Sequence, residues 1–234
     1  MTLNMNALSE GRTAFGISIG LAFIGGYADA ASFVLAHTFT GHLTGNCVLA
    51  AVSVASKEWN LAADRLLAVM VFLMGILASL TLSRFIPIRL RRHSLAISMS
   101  TEVLLIVSAV LFLANRANNE LFIGCMCLAL GIQNDALRKT NGISVHTTYT
   151  TGMVTTLMQK VFQHCFPKQG PKAESPRPSS DAAIQVLAPI WLSFLVGAVA
   201  GALLVVSLHS SGLLVIVLAL ILLVCAEVSR ESSV

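Results

Sequence analysis

Apolar runs alternate along this chain with short polar breaks, and their lengths predict what each can do in a bilayer. A helix rises about 1.5 Å per residue, so roughly 20 apolar residues cross a hydrocarbon core of about 30 Å. Runs of that order lie at about residues 15–36, 61–85, 94–114, 120–137, 184–208 and 213–228, and predict six spanning helices. Two further runs, 44–56 and 151–166, are shorter. The first of them reaches only about 20 Å, too little for a full span. Both are expected to be half-helices that re-enter the membrane. Residues 1–14 are polar and expected to be a disordered tail, with a second short tail at 229–234. Residues 167–183, PKQGPKAESPRPSSDAA, are rich in Pro, Ser and charge and predict a flexible linker.

The polar breaks repeat. Residues 25–46, GGYADAASFVLAHTFTGHLTGN, are echoed by residues 131–153, GIQNDALRKTNGISVHTTYTTGM. Gly25-xxx-Asp29 matches Gly131-xxx-Asp135, and Thr44-Gly45-Asn46 matches Thr151-Gly152-Met153. This divides the chain into a first membrane repeat, 15–114, and a second, 115–228, interrupted by the linker. Three spans per repeat is an odd number, so the second repeat would enter from the opposite side. Inverted repeats with broken helices at corresponding places point to a transporter-like site near the membrane midplane.

The stretches Gly26-Tyr27-Ala28-Asp29-Ala30 and Thr44-Gly45-Asn46 resemble the signature of the YoaK-like family of small bacterial inner-membrane proteins. The resemblance extends over nearly the whole chain. It implies a multi-spanning protein of about six helices and assigns neither an activity nor a substrate. The chain departs from the pattern at Met153, where a polar residue would echo Asn46.

Composition agrees with the run lengths. The chain of 234 residues is 56% hydrophobic and 11% charged, with a mean hydropathy of +0.81. A soluble domain carries roughly 25% charged residues. The first apolar run is too long for a cleavable signal peptide and no small-residue processing site follows it. The net charge of +4 is read as basic loops flanking spans and not as a nucleic-acid surface. With six spans and both termini inside, the cytoplasmic side holds 12 Lys and Arg, and the outside holds Lys57, Arg65 and Arg116. That asymmetry favours six spans plus two re-entrant half-helices, with the chain in the bacterial inner membrane. The five cysteines are odd in number, have no CxxC spacing and are expected to be apolar packing residues.

Candidate chemistry lies at the breaks. Asp29 and Asp135 fall inside spans, where a charge costs at least about 2.5–3.5 kcal/mol on insertion scales. A shielded carboxylate can exchange a proton near neutral pH or hold a cation. It can equally cap the backbone of a broken helix, and Asp135 could pair with Arg138. Thr44, Gly45 and Asn46 open one short run, and Thr151 and Gly152 open the other. Their free N–H groups and positive dipole ends could hold an anionic or polar solute, or the residues could be ordinary N-caps. Glu102 lies inside the third long run, 94–114, beside Ser98, Ser100 and Thr101, and could join a proton path or bond a neighbouring helix. His37 and His42 flank the first break without metal-ligand spacing and are read as interfacial, with proton coupling by a His the other reading; Trp59 and Trp191 are read as interface or packing aromatics.

No GxSxG, GxxxxGK[ST] or strand-linked GxGxxG motif occurs, so no enzyme and no cofactor is expected. The leading expectation is an all-α membrane transporter for a small solute, coupled to protons or a cation. The alternative is a non-transporting scaffold or sensor. The lipid bilayer is the expected partner, and a homodimer is left open.

Overall fold

The computed structural model describes residues 2–114, 119–136, 139–140, 143–144, 150–166 and 180–232. The first apolar run folds as one helix, α1 (Thr2–Ala36). It stops where His37 takes a positive φ of 52°, the left-handed turn that commonly ends a helix. A short irregular segment leads into α2 (Leu43–Ala55). Lys57, at φ 64°, turns the chain into α3 (Trp59–Phe85). Ile86 is extended, at φ −60° and ψ 129°, as the residue before Pro87 should be. A 3-10 segment (Ile88–His93) and α4 (Ser94–Ala114) complete the first half.

In the second half α5 (Asn119–Ala136) precedes a two-residue antiparallel ladder, β1 (Lys139–Thr140) with β2 (Ile143–Ser144). Then come α6 (Thr150–Cys165) and α7 (Ser180–Leu208). His209, again left-handed at φ 54°, opens a 3-10 turn (His209–Leu213) into α8 (Leu214–Ser232). Four segments are long and apolar enough to cross a membrane: Thr13–Ala36, Trp59–Phe85, Ser94–Ala114 and Ser180–Glu231. The last of these holds both α7 and α8.

Three expected boundaries need correction. Residues 2–14 are not a disordered tail but the first turns of α1. Propagating an existing helix adds one bond for each residue fixed, and no proline interrupts this stretch. The linker ends before Ser180, since α7 begins there and Asp181 accepts a 2.6 Å hydrogen bond from His164 Nδ1. The rest of the expected linker, 167–179, and most of the loop at 115–119 lie outside the described residues. The C-terminal tail is likewise helical to Ser232. Arg230 pairs with Glu227 one turn back, and Glu231 binds the His93 ring before α4.

Small residues decide which long helices meet. α1 packs along α7, and α3 along α5. A methyl group at Gly26 would collide with the Phe194 carbonyl, and one at Gly197 with the Phe23 carbonyl. On the other pair, a methyl at Gly131 would strike the Phe72 carbonyl, and one at Gly75 would lie 2.6 Å from the Leu128 carbonyl oxygen. Such backbone-to-backbone approach is how helices gain dispersion energy where lipid removes the hydrophobic drive between them. α8 contacts α1 and α4, α4 also contacts α5, α2 lies on α3, and α6 on α7.

The main core gathers Leu21, Tyr27, Ile106, Phe122, Met126 and Leu220. Its polar atoms are bonded: Tyr27 Oη donates to the Gly212 carbonyl at 2.5 Å, and Gln133 Nε2 to the Leu21 carbonyl at 2.9 Å. A second cluster joins Ala22 to Met153, Leu157, Leu187 and Ile190. Of the cysteines, Cys127 is buried, Cys125 is half-buried, and Cys47, Cys165 and Cys225 are exposed. Packing therefore accounts for only two of the five.

Candidate functional site

The segment between α1 and α2 is held by three side chains. Asp29, on the last turns of α1, accepts hydrogen bonds at Oδ1 from the backbone N–H groups of Thr40 (2.9 Å) and Gly41 (2.8 Å). Asn46, on the first turn of α2, faces Phe39. The Phe39 N–H donates to Oδ1 at 3.0 Å, and Nδ2 donates to the Phe39 carbonyl at 2.7 Å. Arg65 reaches in from α3. Its Nε and Nη2 donate to the His37 carbonyl, both at 3.2 Å, while Nη1 donates to the Leu49 carbonyl at 2.8 Å and to Ser53 Oγ at 2.5 Å. All three side chains are buried. An irregular segment outside the helix ladders needs such partners for its backbone N–H and C=O groups.

These constraints leave an open pocket of about 670 Å³ at the end of α1. Asp29, His42, Thr44 and Gly45 form its polar end. Phe33, Phe39, Val48 and Leu49 line it, and Phe194 and Ala198 of α7 close the far wall. The Phe33 and Phe39 rings stack at 4.4 Å between centroids, and His42 leans on Phe39 at 5.5 Å. Asp29 Oδ2, unlike Oδ1, makes no hydrogen bond among the described residues.

The start of α2 is equally available. Its N-cap is His42, whose side chain makes no capping bond. Thr44 is therefore not the N-cap expected from the sequence; the helix begins one residue earlier, at Leu43. Asn46 N–H bonds the His42 carbonyl, which leaves the N–H groups of the turn before it without helix partners. That turn carries Thr44 and Gly45, which line the pocket. A carboxylate oxygen and a helix N-terminus thus face one cavity, and together they can hold a solute with both a positive and a negative or polar group.

Three of the expected site residues, Asp29, Thr44 and Gly45, line this pocket, with Asn46 beside them as a brace. The others do not join them. Asp135 lines a different cavity, between α3, α4 and α5. Glu102 is buried on α4, its Oε1 without a hydrogen-bond partner among the described residues. Gly152 lies in the first turn of α6, where its carbonyl accepts a bond from Thr156. The side chain of Thr151, and Arg138 as a partner of Asp135, lie outside the described residues. Met153 is a core residue of the second cluster and not a counterpart of Asn46 in role. Gly26 and Gly131 each approach a phenylalanine carbonyl of a neighbouring helix, at Phe194 and Phe72.

Arg65 was hidden by its position near the end of a span, where it counts as an outer flanking charge. Its signal was that it lies inside an apolar run, where a charge needs named partners. Phe39 gave no signal, because one phenylalanine in a loop is common.

These features give the class: an α-helical chain with helices long and apolar enough to cross a membrane, and a pocket of small-ligand size at a helix break. The chain belongs to the family described as "Protein of unknown function (DUF1275)", whose model matches residues 17–226. That family is consistent with the resemblance carried by residues 26–30 and 44–46. No curated protein and no solved structure matches the chain.

Proposed function

We propose that the protein is a small-solute transporter of the bacterial inner membrane that binds its solute in the pocket between α1, α2 and α7. The single observation that carries this reading is the pairing of Asp29 Oδ2 with the uncapped start of α2 across one open cavity. The anionic or polar group of the solute lies on the N–H groups at Thr44 and Gly45. Asp29 holds a proton, a coupling cation or a positive group of the solute. The stacked Phe33 and Phe39, with Phe194, take the apolar part. At about 670 Å³ the cavity is of the size that encloses small ligands, roughly 300–1,000 Å³.

Six spans, α1, α3, α4, α5, α7 and α8, arranged as two inverted halves, fit this reading. Exchanging the first four helices for the last four turns each helix contact into another that is present. The α1–α7 contact becomes α5–α3, α2–α3 becomes α6–α7, and α1–α8 becomes α5–α4. The glycine register supports the same exchange. One shift carries Gly26 onto Gly131 and Phe23 onto Leu128; another carries Phe72 onto Phe194 and Gly75 onto Gly197. With both termini in the cytoplasm the pocket opens in the outer half of the membrane. Removing the buried Arg65 from the outer loop charges strengthens the inside bias.

A second reading, a non-transporting scaffold or sensor, is favoured by the use of Asp29 Oδ1 as a backbone brace. Asp29→Asn separates the two, because Asn keeps Oδ1 and loses the titratable oxygen. The test is a thermal-shift screen of the purified protein against metabolites and ions across pH, run on wild type, Asp29→Asn and Gly45→Leu. Transport predicts a stabilising solute whose effect both substitutions remove while the fold persists. A solute effect unchanged by both would place binding elsewhere and leave the scaffold reading.

A further inference from the structure

The charges at the pocket between α1, α2 and α7 narrow what it can hold. Asp29 is only 7% exposed. Its Oδ1 takes the Thr40 and Gly41 N–H groups, and its Oδ2 makes no hydrogen bond among the described residues. Of the described residues lining the pocket, Asp29 is the one acid and none is Lys or Arg. Arg65 is engaged elsewhere, on the His37 and Leu49 carbonyls and Ser53. A nearly buried carboxylate oxygen that faces a cavity calls for a positive partner there. His42, the other titratable side chain on the wall, can accept a proton of the same partner when its ring is neutral.

The start of α2 makes the opposite demand. The N–H groups at Thr44 and Gly45 carry the positive end of a 13-residue helix and suit a carboxylate. A simple anion there would be repelled by Asp29, and a simple cation would leave the α2 N–H groups unused. A molecule with both charges satisfies both ends and adds no net charge. The two ends are close. Gly41, which binds Asp29 Oδ1 at 2.8 Å, precedes Thr44 by three residues, at most about 11 Å of chain. An ammonium and a carboxylate on one carbon, with a hydrogen bond of about 2.9 Å at each end, bridge a gap of that order. The rest of the wall, Phe33, Phe39, Val48, Leu49, Phe194 and Ala198, is apolar and takes apolar surface.

We propose, on the reading that this pocket binds a solute, that the solute is an α-amino acid with an apolar side chain. Its ammonium lies on Asp29 Oδ2 and His42, and its carboxylate on the N–H groups of Thr44 and Gly45. Its side chain lies against Phe33, Phe39 and Phe194.

Thermal unfolding of the purified full chain in detergent tests this, at pH 8, above the ordinary histidine range, with L-leucine and L-phenylalanine as probes. At saturating concentration at least one should raise the midpoint by about 3 °C. 3-Methylbutylamine keeps only the ammonium of leucine, and 4-methylpentanoate keeps only the carboxylate. Each should give less than about a third of the leucine rise, as should glycine, which has no side chain. Asp29→Asn and Gly45→Leu should remove the rise, whereas Ser108→Ala, on α4 and bonded to its own helix, should retain it. The analogue series needs no variant, so it decides even where a substitution does not fold. No rise with either amino acid would overturn the proposal, and so would an equal rise with either one-charge analogue. If a different class of solute then gave a rise that Asp29→Asn and Gly45→Leu remove, the pocket would stand and the amino-acid assignment alone would fall.

Discussion

Asn46 and Phe39 are joined as two strands of a sheet would be, with the carboxamide of one in place of a backbone. It accepts from the Phe39 N–H and donates to the Phe39 carbonyl. The brace fixes the ring that floors the pocket, since Phe39 stacks on Phe33 and touches His42. Asn46→Ala leaves a half-buried donor and acceptor at Phe39 unpaired, at a cost of about 1 kcal/mol. Asn46→Asp should be no better, because an acceptor would then face the Phe39 carbonyl. Midpoints of thermal unfolding check both, and a midpoint for either equal to wild type would show that the brace is not needed.

Arg65 ties the end of α1 to α2 through the His37 and Leu49 carbonyls and Ser53. Its planar fork serves three acceptors at once, which an ammonium cannot do from the same stem. Arg65→Lys should therefore destabilise the protein by about 2 kcal/mol, despite keeping the charge. If Arg65 were only an outer topology charge, Arg65→Lys would be silent in the same unfolding measurement.

Two glycines of α1 should respond in opposite ways to one methyl group. At Gly26 it meets the Phe194 backbone; at Gly16 nothing lies within 4 Å. Gly26→Ala should force α1 from α7 and lower stability by more than about 1–3 kcal/mol, the range for overpacking. Gly16→Ala should be neutral or raise stability by up to about 1 kcal/mol, because alanine loses less backbone freedom in a helix. Resistance to unfolding in graded denaturing detergent gives the order, and similar behaviour of the two variants would refute the close α1–α7 contact.

How far the sequence reaches follows from what each feature depends on. Run length alone located the long helices, because helix rise and membrane thickness set it. Breaks at His37 and before Pro87 were also local, as was the placing of Thr44 and Gly45 at a helix start. The Asp29 pocket was half legible: an acid inside a span calls for partners, but only the folded chain shows that they are the N–H groups of Thr40 and Gly41. Which of the adjacent glycines, Gly25 or Gly26, packs against another helix was not legible; the close approach of Gly26 to the Phe194 carbonyl decides it.

The central claim is that the pocket between α1, α2 and α7 is open to water as a solute site and does not face lipid. Val48 lines it and is 64% exposed, while Leu104 on α4 is 68% exposed and lines neither this pocket nor the cavity at Asp135. Each is replaced by cysteine in a background lacking the five native cysteines. The protein is reconstituted in vesicles and treated with a charged, membrane-impermeant thiol reagent. The account predicts that Val48→Cys reacts and Leu104→Cys does not. Val48→Cys as unreactive as Leu104→Cys, with reagent on both sides of the membrane, would contradict it.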